Sequence, residues 1–206
     1  MFFSFDGIDG VGKTTQMELF CQWLRAEGHE VLECRDPGST ILGEKLREIL
    51  LHSDGDTPIG RRAEMLLYMA SRAQLVDEVI RPALAAGKIV VSDRYVLANV
   101  VYQGHAGGLD LEAIRCVGAI AVDGVWPNAV FLLDMDPMAA DERMQRSLDR
   151  MERQGIAFRE RLRDGFLFEA ERNASAIHVI DAARDVDSLQ SEIRQIAQRL
   201  MLTCRE

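Results

Sequence analysis

The chain has 206 residues, enough for one domain with a small insert, and its 48% hydrophobic content supports a packed core and excludes a disordered chain. Acidic residues outnumber basic ones by 33 to 24, giving a formal charge of −9. That balance argues against a general nucleic-acid binder, which needs a basic face for phosphates, but leaves open a small anionic ligand in a local basic pocket. No apolar run is long enough to span a membrane. The opening MFFSFDGIDG lacks the basic start of a signal peptide, so none is expected. Cys21, Cys34, Cys116 and Cys204 are scattered, with no metal or disulfide spacing, and fit a reducing compartment; a cytoplasmic location is expected.

Five short apolar runs read as buried strands: Phe2 to Phe5, Val31 to Cys34, Ile89 to Ser92, Val130 to Leu133 and Ile177 to Ile180. Each is followed by a charged residue, in turn Asp6, Arg35, Asp93, Asp134 and Asp181. Helical stretches separate the runs, so the expected fold is α/β, a five-stranded parallel sheet with helices on both faces. In such sheets ligands bind beyond the carboxyl ends of the strands. Met17, Phe20, Cys21 and Leu24 give the first helix an apolar stripe, and Gly28 supplies its stop. Asp136-Pro137 predicts a cap with proline in the first turn, and Asp187 with Gln190 predicts a capping box for the last helix. No repeat, low-complexity tract or linker interrupts residues 1–206, so a single domain is expected.

Between the first strand and first helix lies Gly7-Ile8-Asp9-Gly10-Val11-Gly12-Lys13-Thr14, followed by Thr15, which matches GxxxxGK[ST] in the strand–loop–helix context that motif requires. Glycines let successive backbone N–H groups converge on one anion, and the helix N-terminus adds positive potential. Lys13 supplies a point charge for the outer phosphates, and Thr14 a hydroxyl for Mg²⁺. The loop therefore specifies a nucleoside triphosphate with Mg²⁺, and leaves a phosphotransferase, a GTPase switch and an ATP-driven regulatory or assembly module open. Asn99, Asn128 and Asn173 are the only asparagines and none precedes a lysine, so the NKxD signature of a guanine switch is missing. Residues 143–163 hold seven arginines and no lysine against three acidic residues. Alone, that reads as a solvated helix pair; the alternative is a basic flap, a lid closing over phosphates.

FDGIDGVGKTTQ, RDPGST, GEKLREILL, EMLLYMASRAQ, VVSDRYVLANVVYQG and LDRME follow one another along the chain. Together they resemble the thymidylate kinase family, among the nucleoside monophosphate kinases. The resemblance implies ATP and Mg²⁺ as cofactors, dTMP as acceptor and a homodimer. It implies that Gly7 to Thr15 cradle ATP, that Arg94 binds the acceptor phosphate, that Arg47 is a second phosphate ligand, and that Asp9 orients the acceptor or metal. Asp93, at its strand end, can hold a metal-bound water or orient Arg94. By the same resemblance Tyr68 stacks on thymine, Arg72 bonds a base carbonyl, Tyr102 crowds the site of a ribose 2′-OH, and Gln103 contacts the base. Asn99 could read the base edge with Arg72. Asp36 stands where relatives usually carry glutamate, and Leu97-Ala98 replaces a more polar pair. The phosphate loop contains no arginine, so LDRME points to Arg150 as the charge-neutralising lid residue, with Arg143 and Arg146 as partners.

The expected reaction moves the γ-phosphoryl group of Mg·ATP to the 5′-phosphate of dTMP, giving dTDP and ADP. The alternatives are a related kinase for dUMP or dCMP, or a nucleotide-binding regulator without transfer.

Overall fold

The computed structural model describes residues 1–52, 58–144 and 155–203. Its strands are β1 (Phe2–Asp6), β2 (Val31–Arg35), β3 (Ile89–Asp93), β4 (Ala129–Asp134) and β5 (Ile177–Asp181). All pairings are parallel, in the order β2-β3-β1-β4-β5. The five apolar runs are thus the five strands, each ending on its charged residue. The helices are α1 (Lys13–Ala26), α2 (Ile41–His52), α3 (Arg61–Leu75), α4 (Arg81–Ala85), α5 (Val96–Asn99), α6 (Leu111–Val122), α7 (Pro137–Glu142), α8 (Ile156–Arg172) and α9 (Val186–Thr203). Two π-helical stretches, Val76–Ile80 and Val100–Ala106, continue α3 and α5.

Side chains alternate across a strand, so β1 feeds both faces of the sheet. Phe3 and Phe5 pack with Phe20 of α1 and Phe131 of β4 on one face, while Phe2 packs with Val90, Leu75, Ile80 and Tyr95 on the other. Phe131 lies 5.8, 5.1 and 5.6 Å from the rings of Phe3, Phe5 and Phe20, the spacing at which aromatic pairs add to simple burial. The strand order reverses at β1, which has β3 on one side and β4 on the other. A crevice therefore opens where β1 ends, and the phosphate loop follows at that point.

Helix ends follow the sequence in two of three cases. Gly28 takes φ 88° just past α1, where its N–H bonds the Arg25 carbonyl. Asp136 caps α7 by accepting from the N–H groups of Met138 (3.0 Å) and Ala139 (3.2 Å), ahead of Pro137. The capping box at Asp187 and Gln190 is not formed. Asp185 takes the role instead, accepting from the Ser188 N–H at 2.9 Å, so that Asp187 falls inside the first turn. Gln190 is turned inward, where its Nε2 donates to Gln16 Oε1 at 2.7 Å. A buried amide needs a polar partner more than a helix start needs a second capping group.

Candidate active site

The backbone beyond β1 is bent to present its amides. Gly7, Gly10 and Gly12 take φ of 134°, 92° and 93°, a region side chains rarely adopt. At Gly10 space is also closed, because a Cβ there would run into the Ala140 carbonyl. Gly12 precedes the first turn of α1, and Lys13 is that helix's first residue. Ile8 and Val11 point into the core, anchoring the loop from beneath.

The cleft above the loop is about 760 Å³. Its walls bring together Asp9, Gly10, Gly12, Lys13, Thr14, Thr15, Asp36, Arg47, Tyr68, Arg72, Asp93, Arg94, Asn99, Tyr102, Gln103 and Arg143. Gly7, Ile8 and Val11 support it without lining it. Arg146 and Arg150 lie outside the described residues. Arg143 is exposed at the rim and donates to the Ala182 carbonyl at 3.2 Å. The arginine-rich segment is helical from Ile156 onward.

Asp9 is the hub of the loop end. Its Oδ1 accepts from Arg94 Nη2 at 2.5 Å and from Lys13 Nζ at 3.4 Å, and its Oδ2 accepts from the Tyr102 hydroxyl at 3.1 Å. Burial works against ionising Asp9, but Arg94, Lys13 and the Tyr102 hydroxyl outweigh it and hold the carboxyl well below the usual range. Lys13 also donates to the carbonyls of Gly7 (3.1 Å) and Ile8 (2.8 Å). Burial and the Arg94 charge push its ammonium down against the pull of Asp9. Burial lowers Arg94, but Asp9 and its other anionic neighbours more than reverse this, so its guanidinium stays charged. Arg94 also donates to the Gly7 carbonyl at 3.2 Å and sits 5.0 Å from the centre of the Tyr102 ring.

Arg94 is held in a left-handed backbone conformation, φ 67°, uncommon outside glycine and asparagine. Its N–H bonds the Phe5 carbonyl at 2.9 Å, and its own carbonyl accepts from Ser92 Oγ at 2.7 Å. Those two bonds fix the turn that swings its side chain off β3 and across the mouth of β1. Beside it, Asp93 Oδ1 is buried without a protein partner. Behind the loop Asp6 is fully buried with both oxygens unpartnered, and burial pushes it up to about 7, against the opposing charges of Arg94 and Lys13.

The other end of the cleft is built by α3 and the segment after β3. Tyr68 is half-buried, while Arg72, one turn on, is 1% exposed. Arg72 Nε donates to Asp36 Oδ2 at 2.5 Å and its Nη2 to the Tyr95 carbonyl at 3.2 Å. Asp36 therefore holds Arg72 in place. Arg47 donates to the Pro37 carbonyl at 2.9 Å, after the cis Asp36-Pro37 bond. Asn99 Nδ2 donates to Gln103 Oε1 at 2.8 Å, and Gln103 Nε2 donates to Glu64 Oε1 at 3.0 Å. Both ends of the Gln103 amide are thus already engaged.

Arg159 was not among the expected site residues. It is 5% exposed, donates from Nη2 to the Asp9 carbonyl at 2.5 Å and from Nη1 to Asp141 Oδ1 at 2.8 Å, and so ties α8 to the phosphate loop. Arg163, one turn on, makes a two-pronged pair with Asp134 at 2.7 and 2.8 Å. The signal was present in the helical period. Phe158, Arg159, Leu162 and Phe166 share the buried face of α8, whereas Arg161 is exposed.

Residues 5–193 match the family model for thymidylate kinase. The chain is 41% identical over 200 residues to the thymidylate kinase of Thermosipho africanus strain TCF52B, covering 97% of this chain and 98% of that one. It is 43% identical over 203 residues to the thymidylate kinase of Bifidobacterium longum subsp. infantis, covering 98% and 87%. The crystal structure of thymidylate kinase from Ehrlichia chaffeensis superposes with a TM-score of 0.77 at 31% identity, covering 96% of this chain and 98% of that one. A phosphate loop at the switch point of a five-stranded parallel sheet, the cleft beyond it and these full-length matches agree: the chain belongs to the thymidylate kinase family.

Proposed function

We propose that the cleft seats Mg·ATP on the phosphate loop and dTMP between Arg94 and Tyr68, and that the chain transfers the γ-phosphoryl group to give dTDP and ADP. The observation that carries this reading is the placing of Lys13 and Arg94 on one carboxylate, Asp9, with a roomy cleft running from them to Tyr68, Arg72 and Asn99. Two polyanions meeting end to end need fixed positive charge at the junction.

The residues divide the work by position. Gly7 to Thr15 surround the donor phosphates, with Lys13 moving from the loop carbonyls it now bonds to the phosphate oxygens. The metal site fits Mg²⁺: Asp93 offers a buried unpartnered oxygen and Thr14 an exposed hydroxyl, a sparse hard-oxygen set of the kind that leaves room for water and phosphate ligands. Bound there, Mg²⁺ would supply charge neutralisation on the transferring phosphates. Arg94 and Arg47 hold the acceptor phosphate. Asp9 keeps Arg94 oriented and meets the acceptor sugar with Tyr102. Arg72, braced by Asp36, and Asn99 read the base over the Tyr68 ring. Arg143, at the rim, is assigned to the donor phosphates; the charge-neutralising role stays with Arg150, partnered by Arg146, both outside the described residues. A phosphate monoester, with its second pKa near 6, is largely dianionic at neutral pH, so no general base is required. What the chain supplies is alignment, charge and exclusion of water.

The chain is further read as a homodimer of single-domain subunits in the cytoplasm. Supporting the dimer, Ile41, Leu42 and Ile49 of α2, Leu66 of α3 and Ile120 of α6 are exposed, and α3 packs on both other helices. Supporting the compartment, Cys21, Cys34 and Cys116 are free thiols. No helix among the described residues is long and apolar enough to cross a membrane.

The test is ADP release from ATP against a panel of nucleoside monophosphates. Turnover with dTMP well above all others is expected. A preference for dCMP or dUMP would move the assignment to a related kinase, and no product from any of them would mean a regulator.

A further inference from the structure

Glu64, in the first turn of α3, is 7% exposed, and Gln103 and Asn99 are 3% and 2% exposed. A carboxylate oxygen accepts, so the amide group that meets it presents its NH₂. Gln103 does so at 3.0 Å, which leaves its Oε1 as the other end. That oxygen accepts from Asn99 Nδ2 at 2.8 Å, which in turn leaves Asn99 Oδ1. Asn99 Oδ1 is buried without any protein partner, on a residue that lines the cleft beside Tyr68 and Arg72. A buried acceptor without a donor is costly, and a ligand donor placed there removes the cost.

We propose that Glu64, by fixing the direction of this relay, is a positioning residue that sets which pyrimidines the cleft accepts. The inference rests on the reading above that the nucleobase lies against Asn99. Thymine and uracil carry a donor at N3, whereas cytosine carries an acceptor. A relay pinned by a carboxylate commits one Asn99 N–H to Gln103 and leaves Oδ1 as the unpartnered atom, so a base donor is favoured there over a base acceptor. Two amides without that pin can rotate together and show an NH₂ instead. Glu64 therefore disfavours cytosine from a distance, and has no means of telling thymine from uracil, which differ only in a methyl group.

The experiment compares kcat/KM for dTMP, dUMP and dCMP in the wild type, Glu64→Gln and Glu64→Asp. In Glu64→Gln, which keeps the shape but can donate or accept, the dCMP to dTMP ratio rises at least about tenfold, chiefly through KM. The dUMP to dTMP ratio holds, and Glu64→Asp keeps the wild-type ratios. General damage to α3 would lower all three substrates together, so an unchanged dCMP to dTMP ratio in Glu64→Gln overturns the inference. A wild type that ignores dTMP overturns the substrate reading beneath it. A second measurement needs no variant: in the wild type without nucleotide, one Asn99 side-chain amide proton exchanges slowly by NMR, because Gln103 holds it. Rapid exchange of both protons would mean that the NH₂ faces the cleft, contrary to the proposal.

Discussion

Arg94 Nη2 and Asp9 Oδ1 lie 2.5 Å apart, joining the end of β3 to the phosphate loop of β1 through a pair whose side chains are only 18% and 23% exposed. The arginine proposed to grip the acceptor is thus oriented by the loop proposed to grip the donor. Neither strand alone could do this; the pairing of β1 with β3 sets the distance.

Replacing Arg94 tests that coupling. Arg94→Ala should lower kcat with dTMP by at least about 10²-fold, the usual consequence of losing a preorganised charge at a reacting centre. Arg94→Lys should recover little, since one ammonium cannot reach both Asp9 and a phosphate in the geometry of a planar fork. Steady-state ADP release checks both, and near-wild-type turnover in Arg94→Ala would remove its role.

Arg159 reaches the same loop from α8. Arg159→Leu should leave α8 folded, because Phe158, Leu162 and Phe166 still bury its face. It should weaken ATP binding about tenfold, the worth of one charge-assisted hydrogen bond, by freeing the Asp9 carbonyl. Titration of ATP against the variant reads this directly; unchanged affinity would make the contact incidental.

Asp6 should leave a signature in the pH dependence of stability. Its folded value of about 7 stands above the ordinary 3.8, so the folded chain holds this proton more tightly than the unfolded one. The stability it contributes is full below about pH 4 and is lost as pH rises through 7. Asp6→Asn keeps the shape without the titration. The variant minus wild-type difference in Tm, measured without nucleotide or metal, should therefore grow from pH 5 to pH 8. A constant difference would mean that Asp6 is not held protonated.

The aromatic cluster beneath the loop should carry stability rather than chemistry. Phe131→Ala opens a cavity among Phe3, Phe5 and Phe20 and should cost about 3–5 kcal/mol in denaturant unfolding. KM for dTMP, measured where the variant is folded, should stay near that of the wild type.

The strands were legible because a sheet covered on both faces demands unbroken apolar runs; of the residues ending those runs, Arg35 and Asp93 line the cleft. The phosphate loop was legible because its function needs glycine and lysine at fixed spacing. Partners of the buried polar residues were not legible. Arg159 and Arg161 look alike in the chain, yet one is buried against Asp9 and the other is exposed, and only helix phase separates them. Gln103 lines the cleft as expected of a base contact, yet its amide also links Asn99 to Glu64, the latter bond spanning 39 residues in sequence. The capping box at Asp187 failed for a related reason, since Gln190 bonds Gln16 on a different helix. Spacing reports local structure, whereas satisfaction of buried polar groups is settled between distant elements.

One cleft is proposed to hold both nucleotides in line, with Lys13 and Arg94 at the junction. Calorimetric titration with a single molecule in which adenosine and thymidine are joined through five phosphates tests it most directly. One molecule should bind per chain, more tightly than ATP or dTMP, with each nucleotide competing against it. Binding displaced by ATP but indifferent to saturating dTMP would contradict it.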